Sequence, residues 1–203
     1  MLQFLSTYLP EFGVTPVLVP EAATTLIQGG ISPASVGVVS FQAAVFALHL
    51  ANEAVFGEGS THLRDKNPLL VFDRGLMDGK AYMQPADFQR MIDSHSLTED
   101  EILSRYGLIL HLESAAVGKP ELYSSETNDA RYEERGTAVV VEQNTLAVWD
   151  GHPNRRVIPC YDDFDVKCER VLAEVLAGRT HVHQFALPSG CGWSLTLPGP
   201  CRR

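Results

Sequence analysis

Three apolar runs in this chain each end on residues able to handle charge. "PVLVP" is followed by Glu21, "PLLVF" by Asp73, Arg74 and Gly75, and "LILHL" by Glu113 and Ser114. Carboxylates and a guanidinium gathered on one rim suit phosphoryl transfer. One acid can hold Mg²⁺ or its waters, another can accept a hydroxyl proton, and the arginine can neutralise phosphate charge. The same residue types have a second use, because an acid after a strand often caps the following helix. Spacing alone leaves both uses open.

Two other segments bear on the chemistry. "SSETNDARYEERG", residues 124–136, is a long polar connection that carries Arg131 and Arg135 into a helix. Such a segment either closes over a nucleotide and brings an arginine to its phosphates, or forms a solvated loop with charges paired at the helix start. "WDGHPNRRVIP" puts His152 and Pro153 in a turn before a strand, where a histidine is more often structural than catalytic.

The elements that must position these residues alternate along the chain. Residues 1–12 read as a helix with Leu2, Leu5 and Leu9 on one face, and "VTPVLVP" as a short buried strand. Ala22 to Gln28 is helical and stopped by Gly29-Gly30, and Ser35 to Phe56 is a long apolar helix. "PLLVFD" is a second strand, followed by helices at 86–95 and 99–105, with Thr98 as N-cap and Glu101 as its reciprocal partner. Strands follow at 107–113 and 155–159, with a helix from Glu133 to Trp149 between them. A last helix spans about Asp163 to Leu176, with Phe164, Cys168, Val171, Leu172 and Val175 facing inward. This alternation predicts an α/β fold, a parallel sheet with helices on both faces. Val17, Leu70, Val71, Ile109 and Leu110 are then expected in central buried strands. Ligands in such sheets bind outside the carboxyl ends of the strands, which is where Glu21, Asp73 and Arg74 fall. Residues 1–177 form one domain on this reading, and the Gly-, Pro- and Ser-rich stretch 178–203 is an irregular or disordered tail.

Composition sets the outer limits. The 203 residues are 45% hydrophobic and 20% charged, ordinary for a soluble globular domain. A formal charge of −9 disfavours nonspecific nucleic-acid binding while leaving room for an anionic small ligand held by local arginines. Cys160, Cys168, Cys191 and Cys201 show no metal-type spacing, which fits reduced thiols and a cytoplasmic setting. The start "MLQFLSTYLPEF" is amphipathic and unlike a signal peptide. Ser40, Gln42, His49, Asn52 and Glu53 interrupt the most apolar run, Val36 to Phe56, so a buried helix is expected there and no transmembrane segment.

"VPEAATTLIQGGI", "FDRGLMDGKAYM", "LILHLESAA", "TNDAR" and "WDGHPNRRVI" come in the order and spacing of a P-loop NTPase domain of AAA/kinase-like type. Over residues 1–177 the chain resembles the domain shared by the nicotinamide-riboside kinase part of bacterial NAD regulators and the eukaryotic TRP-like-channel translocation-defect proteins. "DRGLMDGKAYM" is the most specific piece. The resemblance implies a thymidylate-kinase-like fold binding Mg²⁺ with ATP or GTP. Asp73 would be the strand-end acid near Mg²⁺, Arg74 a substrate or phosphate contact, and Glu21 the acid near the acceptor hydroxyl. Arg131 would be the lid arginine with Asn128 beside it, and the segment after Gly151 would lie near the base. The family's GxxxxGK[ST] motif occurs nowhere in the sequence. An N-terminally truncated domain lacking the first strand and phosphate loop is therefore expected. The implied activities are phosphoryl transfer to a small-molecule substrate by the intact domain, or a noncatalytic module binding GTP or a phosphoinositide. The third expectation is an inactive fragment.

Overall fold

The computed structural model describes residues 1–64, 67–114, 135–161 and 163–182, with only the backbone described at 135–138 and 179–182. Helix α1 (Leu2–Tyr8) runs into a 3-10 turn at Leu9–Phe12, and Leu5 and Leu9 are buried beneath it. Strand β1 (Thr15–Val19) leads to α2 (Ala22–Gln28), which ends on Gly29 and on Gly30 in the left-handed region at φ 88°. A one-turn helix, α3 (Pro33–Val36), is separated from α4 (Val38–Thr61) by Gly37 at φ 81°. The continuous helix expected from Ser35 is therefore broken. Only glycine takes that backbone angle without strain, and the apolar periodicity carries no trace of it.

Strand β2 (Pro68–Phe72), a 3-10 helix (Leu76–Tyr82), α5 (Pro85–Ser94) and α6 (Glu99–Ser104) follow. Helix α6 opens with the Thr98–Glu101 capping box read from the sequence: the Thr98 hydroxyl accepts from the Glu101 amide, and the Glu101 carboxylate accepts from the Thr98 amide. Strand β3 (Ile109–Leu112), α7 (Arg135–Ala147), β4 (Arg155–Ile158) and α8 (Phe164–Val182) complete the described chain. Helix α8 carries the backbone past residue 177, where an irregular tail was expected to begin. Phe164 at its start is 60% exposed, contrary to its predicted inward position, while Cys168, Val171 and Val175 are buried.

The strands form two parallel pairs. β1 pairs with β2, Val19 opposite Phe72, and β3 pairs with β4, Leu112 opposite Ile158. Val17, Leu70, Val71, Ile109 and Leu110 are only half-buried, which corrects the expectation of central buried strands. In a pair two strands wide, each strand is an edge. The pairs nonetheless share packing: Leu69 and Val71 of β2 and Leu110 and Leu112 of β3 lie against one cluster built on Leu5, Leu9, Val171 and Val175. A second cluster gathers Phe46, Met77, Phe88, Ile92 and Ile102.

Helix α4 also departs from expectation. Over its most apolar 18-residue window, only 17% is buried, so it is not a core helix along its length. By length and composition it could cross a membrane. In this fold it packs against α2, α3, β1, β2 and the Leu76–Tyr82 helix, with Phe41, Phe46 and His49 turned inward.

Candidate functional site

Because β1 and β2 are parallel and in register, the residues after Val19 and after Phe72 emerge on the same rim. Glu21 and Asp73 line one cleft of about 430 Å³, together with Leu2, Leu18, Thr24 and Gln28. The Glu21 carboxylate accepts a hydrogen bond from the Thr24 hydroxyl at 2.5 Å. Its other oxygen lies 4.0 Å from Arg74 Nε. Asp73 is exposed, and among the described residues its carboxylate accepts no hydrogen bond. Arg74 is exposed, and the partial desolvation it meets beside the fold disfavours its charge, but Asp78, Tyr82, Glu21 and Asp73 outweigh this and raise the guanidinium pKa above its ordinary value. Arg74 itself sits at φ 81°.

The third strand end behaves differently. The Glu113 carboxylate accepts from the Cys160 amide at 3.2 Å, and its backbone carbonyl accepts from Lys167 Nζ at 2.6 Å. The Ser114 amide donates to Glu142 at 2.9 Å, and the Ser114 hydroxyl is bound to the same carboxylate. These residues fasten β3 to α7, β4 and α8, and neither lines the cleft. Lys80, close to Arg74 in sequence, is held by Glu99 at 2.6 and 2.7 Å. His152 is buried and structural: the Asn154 amide donates to Nδ1, so Nε2–H donates to the Tyr106 carbonyl at 2.7 Å. Arg131 and Asn128, the lid residues of the sequence reading, lie outside the described residues.

A polar network that the sequence reading did not single out lies behind this rim. The Glu53 carboxylate accepts from Tyr106 Oη at 2.5 Å and from Arg105 Nε at 2.6 Å, with His49 Nε2 3.4 Å away. Burial pushes the Glu53 pKa up, but His49, Tyr106 and Arg105 together bring it below its ordinary value. Burial beside Glu53 raises the Tyr106 phenol far above its own. The available signal was His49 and Glu53 at i,i+4 in an otherwise apolar helix, a spacing that puts them on one face.

Among the described residues, no group of three or more His, Cys, Asp or Glu side chains could enclose a metal ion. Glu21 and Asp73 are the carboxylates that line the cleft. That set suits Mg²⁺, which keeps waters and phosphate oxygens in its shell, better than it suits a cation needing a full protein cage.

The short parallel strand pairs among helices make this an α/β domain, consistent with a P-loop NTPase-like fold. A family described as AAA domain matches residues 2–162, and the chain belongs to that family. No curated protein and no solved structure matches it.

Proposed function

We propose that this chain is the acid-and-arginine half of a kinase-like nucleotide site, handling ATP or GTP as the Mg²⁺ complex. The observation that carries the reading is that Glu21 and Asp73, at the ends of two parallel strands, line one cleft, with Arg74 Nε 4.0 Å from the Glu21 carboxylate. In this reading Asp73 faces Mg²⁺ and its waters, Glu21 faces the acceptor hydroxyl, and Arg74 and Arg131 meet phosphate oxygens, with Asn128 beside Arg131 in the lid. The acceptor is a small molecule such as a nucleoside, and the protein is cytoplasmic.

In the same reading the two strand pairs are halves of one parallel sheet with helices on both faces. The strand preceding a phosphate loop would pair between β2 and β3, whose side chains already share a core cluster. No GxxxxGK[ST] occurs in the sequence, so these residues offer no amide cradle and phosphate lysine of that kind. Those charge-assisted contacts are the strongest in such sites. Without them, at about 1.5–3 kcal/mol each, a micromolar site moves into the millimolar range. That missing motif favours a second reading, a regulatory module that binds GTP or a phosphoinositide headgroup without transferring phosphate.

The test is calorimetry of the 203-residue chain with Mg·ATP, Mg·GTP and a soluble inositol phosphate, followed by γ-phosphate transfer to nicotinamide riboside. Millimolar binding of a nucleotide that Asp73→Asn abolishes supports the nucleotide site. Preference for the inositol phosphate, with no effect of Asp73→Asn, moves the reading to the regulatory module. Binding of none of them overturns both.

A further inference from the structure

Arg74 adopts φ 81°, and Ser96 is the other non-glycine with positive φ among the described residues. An L residue with a long side chain is strained there, because its Cβ crowds the following carbonyl. Such a conformation persists only where the surroundings fix it, and here four contacts do so. Asp78 Oδ2 accepts the Gly75 amide at 2.9 Å, and Asp78 Oδ1 accepts the Trp149 indole N–H at 2.7 Å. The Leu76 amide donates to Tyr106 Oη at 2.9 Å. The Trp149 ring closes on Gly75 so tightly that a Cβ there would lie 2.6 Å from Cζ2. The two amides that follow Arg74 are both taken, and the face of the turn is filled.

We propose that Asp78 is a positioning residue for Arg74: by tying the Gly75 amide to the Trp149 indole, it holds residue 74 left-handed and keeps the guanidinium beside Glu21 and Asp73. The carboxylate also supplies negative charge toward the guanidinium, ahead of Tyr82, Glu21 and Asp73. The clamp has a wider consequence. Trp149 follows α7, so the rim of the β1–β2 pair is locked to the helix that leads into β4. A displacement of α7 would reach the Arg74 turn through the Trp149 indole, by its hydrogen bond to Asp78 and its packing on Gly75. The bland alternative is that Asp78 only caps the Leu76–Tyr82 helix, where it stands at the third position. A cap would work equally well whatever conformation residue 74 adopts.

The significance for a phosphate ligand rests on the nucleotide reading, but the conformational part can be tested without nucleotide. Arg74→Gly and Arg74→Ala both remove the guanidinium, and they differ mainly in tolerance of positive φ. With Asp78 present, Arg74→Gly should melt about 2–4 °C above Arg74→Ala. In an Asp78→Asn background two of the four contacts are weakened and the turn can relax, so the gap should narrow or reverse, glycine then chiefly adding unfolded-state entropy. An equal gap in both backgrounds makes Asp78 a helix cap and overturns the proposal. Trp149→Phe removes only the indole N–H, should narrow the gap part-way, and serves if Asp78→Asn does not fold. The ligand part is read by titrating Mg²⁺ with inorganic tripolyphosphate, which Asp78→Asn should weaken about five- to tenfold. Equal binding by wild type and Asp78→Asn overturns the link to the guanidinium. If the wild type binds no tripolyphosphate, the nucleotide reading falls while the melting gap still decides the positioning role.

Discussion

Two of the Glu–Arg pairs among the described residues, Glu53–Arg105 and Glu21–Arg74, are built in opposite ways. Glu53 meets Arg105 at 2.6 Å, gives its other oxygen to Tyr106 at 2.5 Å, and has a side chain only 9% exposed. Glu21 stands 4.0 Å from Arg74, whose side chain is 54% exposed, at the edge of an open cleft beside Asp73. The first pair has its acceptors satisfied from within the fold and cannot take up a ligand without breaking. The second leaves carboxylate and guanidinium positions facing solvent. An acid beside an arginine is therefore no site by itself. What distinguishes the rim is polar capacity that the fold leaves unfilled, with the filled network directly behind it holding the backbone steady.

The sharpest way to break that contrast is to remove the buried acid. Glu53→Ala leaves Arg105 and Tyr106 without their partner in a desolvated position, and should cost about 3–5 kcal/mol. Chemical denaturation of the purified variant measures it. A loss under 1 kcal/mol, roughly that of an exposed pair, would place Glu53 in the same category as Glu21 and dissolve the comparison.

A smaller effect is expected at the joint between the two regions. Gly75→Ala would put a Cβ 2.6 Å and 2.8 Å from two Trp149 ring atoms. Trp149 is 4% exposed and has little freedom to retreat, so overpacking of about 1–3 kcal/mol is expected. Pairing Gly75→Ala with Trp149→Leu should restore part of the loss. A Gly75→Ala protein with wild-type stability would show that the turn does not rest on Trp149.

How much of this arrangement the sequence disclosed depends on the kind of signal each feature leaves. Strand starts and ends, the Thr98 capping box and the Gly29-Gly30 stop are local in sequence, and each stands in the fold within a few residues of its reading. The acids at strand ends were visible for the same reason: parallel strands bring their carboxyl ends to one side. The features that escaped depend on long-range contact. Tyr106 and Trp149 reach the Arg74 turn from 30 and 71 residues away, distances no periodicity encodes. The half-burial of Val17, Leu70 and Ile109 was hidden as well, because an apolar run looks alike in an edge strand and a central one. Gly37 left no separate signal, because an isolated glycine inside an apolar helix pattern is tolerated at modest cost.

The pH dependence of stability sharpens the comparison with a smaller signal. The folded-state pKa of Glu53 lies below its ordinary 4.5, and that of His111, lowered by burial against the pull of Glu142, lies below its ordinary 6.5. In both cases the unfolded chain binds protons more readily, so unfolding is favoured as protons are added. The contribution of each group is complete above its unfolded value and is lost as pH falls toward its folded value. Stability should therefore decline first below about pH 6.5 through His111, and again below about pH 4.5 through Glu53. Thermal melts between pH 8 and pH 3 follow both limbs. Glu53→Gln should flatten the lower limb alone, and His111→Gln the upper limb alone. A lower limb unchanged in Glu53→Gln would mean that other carboxylates govern acid unfolding.

The smallest effect on stability belongs to Asp73, and it is the most informative about function. Asp73 is exposed and its carboxylate accepts no hydrogen bond among the described residues, so Asp73→Asn removes charge without opening a cavity or stranding a donor. Exposed substitutions of that kind usually stay within about 0.5 kcal/mol, a shift of about 1–2 °C for a chain of this length. Binding should move the other way. A carboxylate is a ligand for Mg²⁺ and a carboxamide is a poor one, so Mg·nucleotide affinity should fall at least about fivefold, with nucleotide alone affected less. The diagnostic is the divergence: melting temperature held, Mg²⁺-dependent binding lost. Calorimetry with and without Mg²⁺ beside a melt of the same sample reads both. An Asp73→Asn protein several degrees less stable would place Asp73 with Glu53, inside the fold's own polar network, and remove it from the metal-facing role proposed for it.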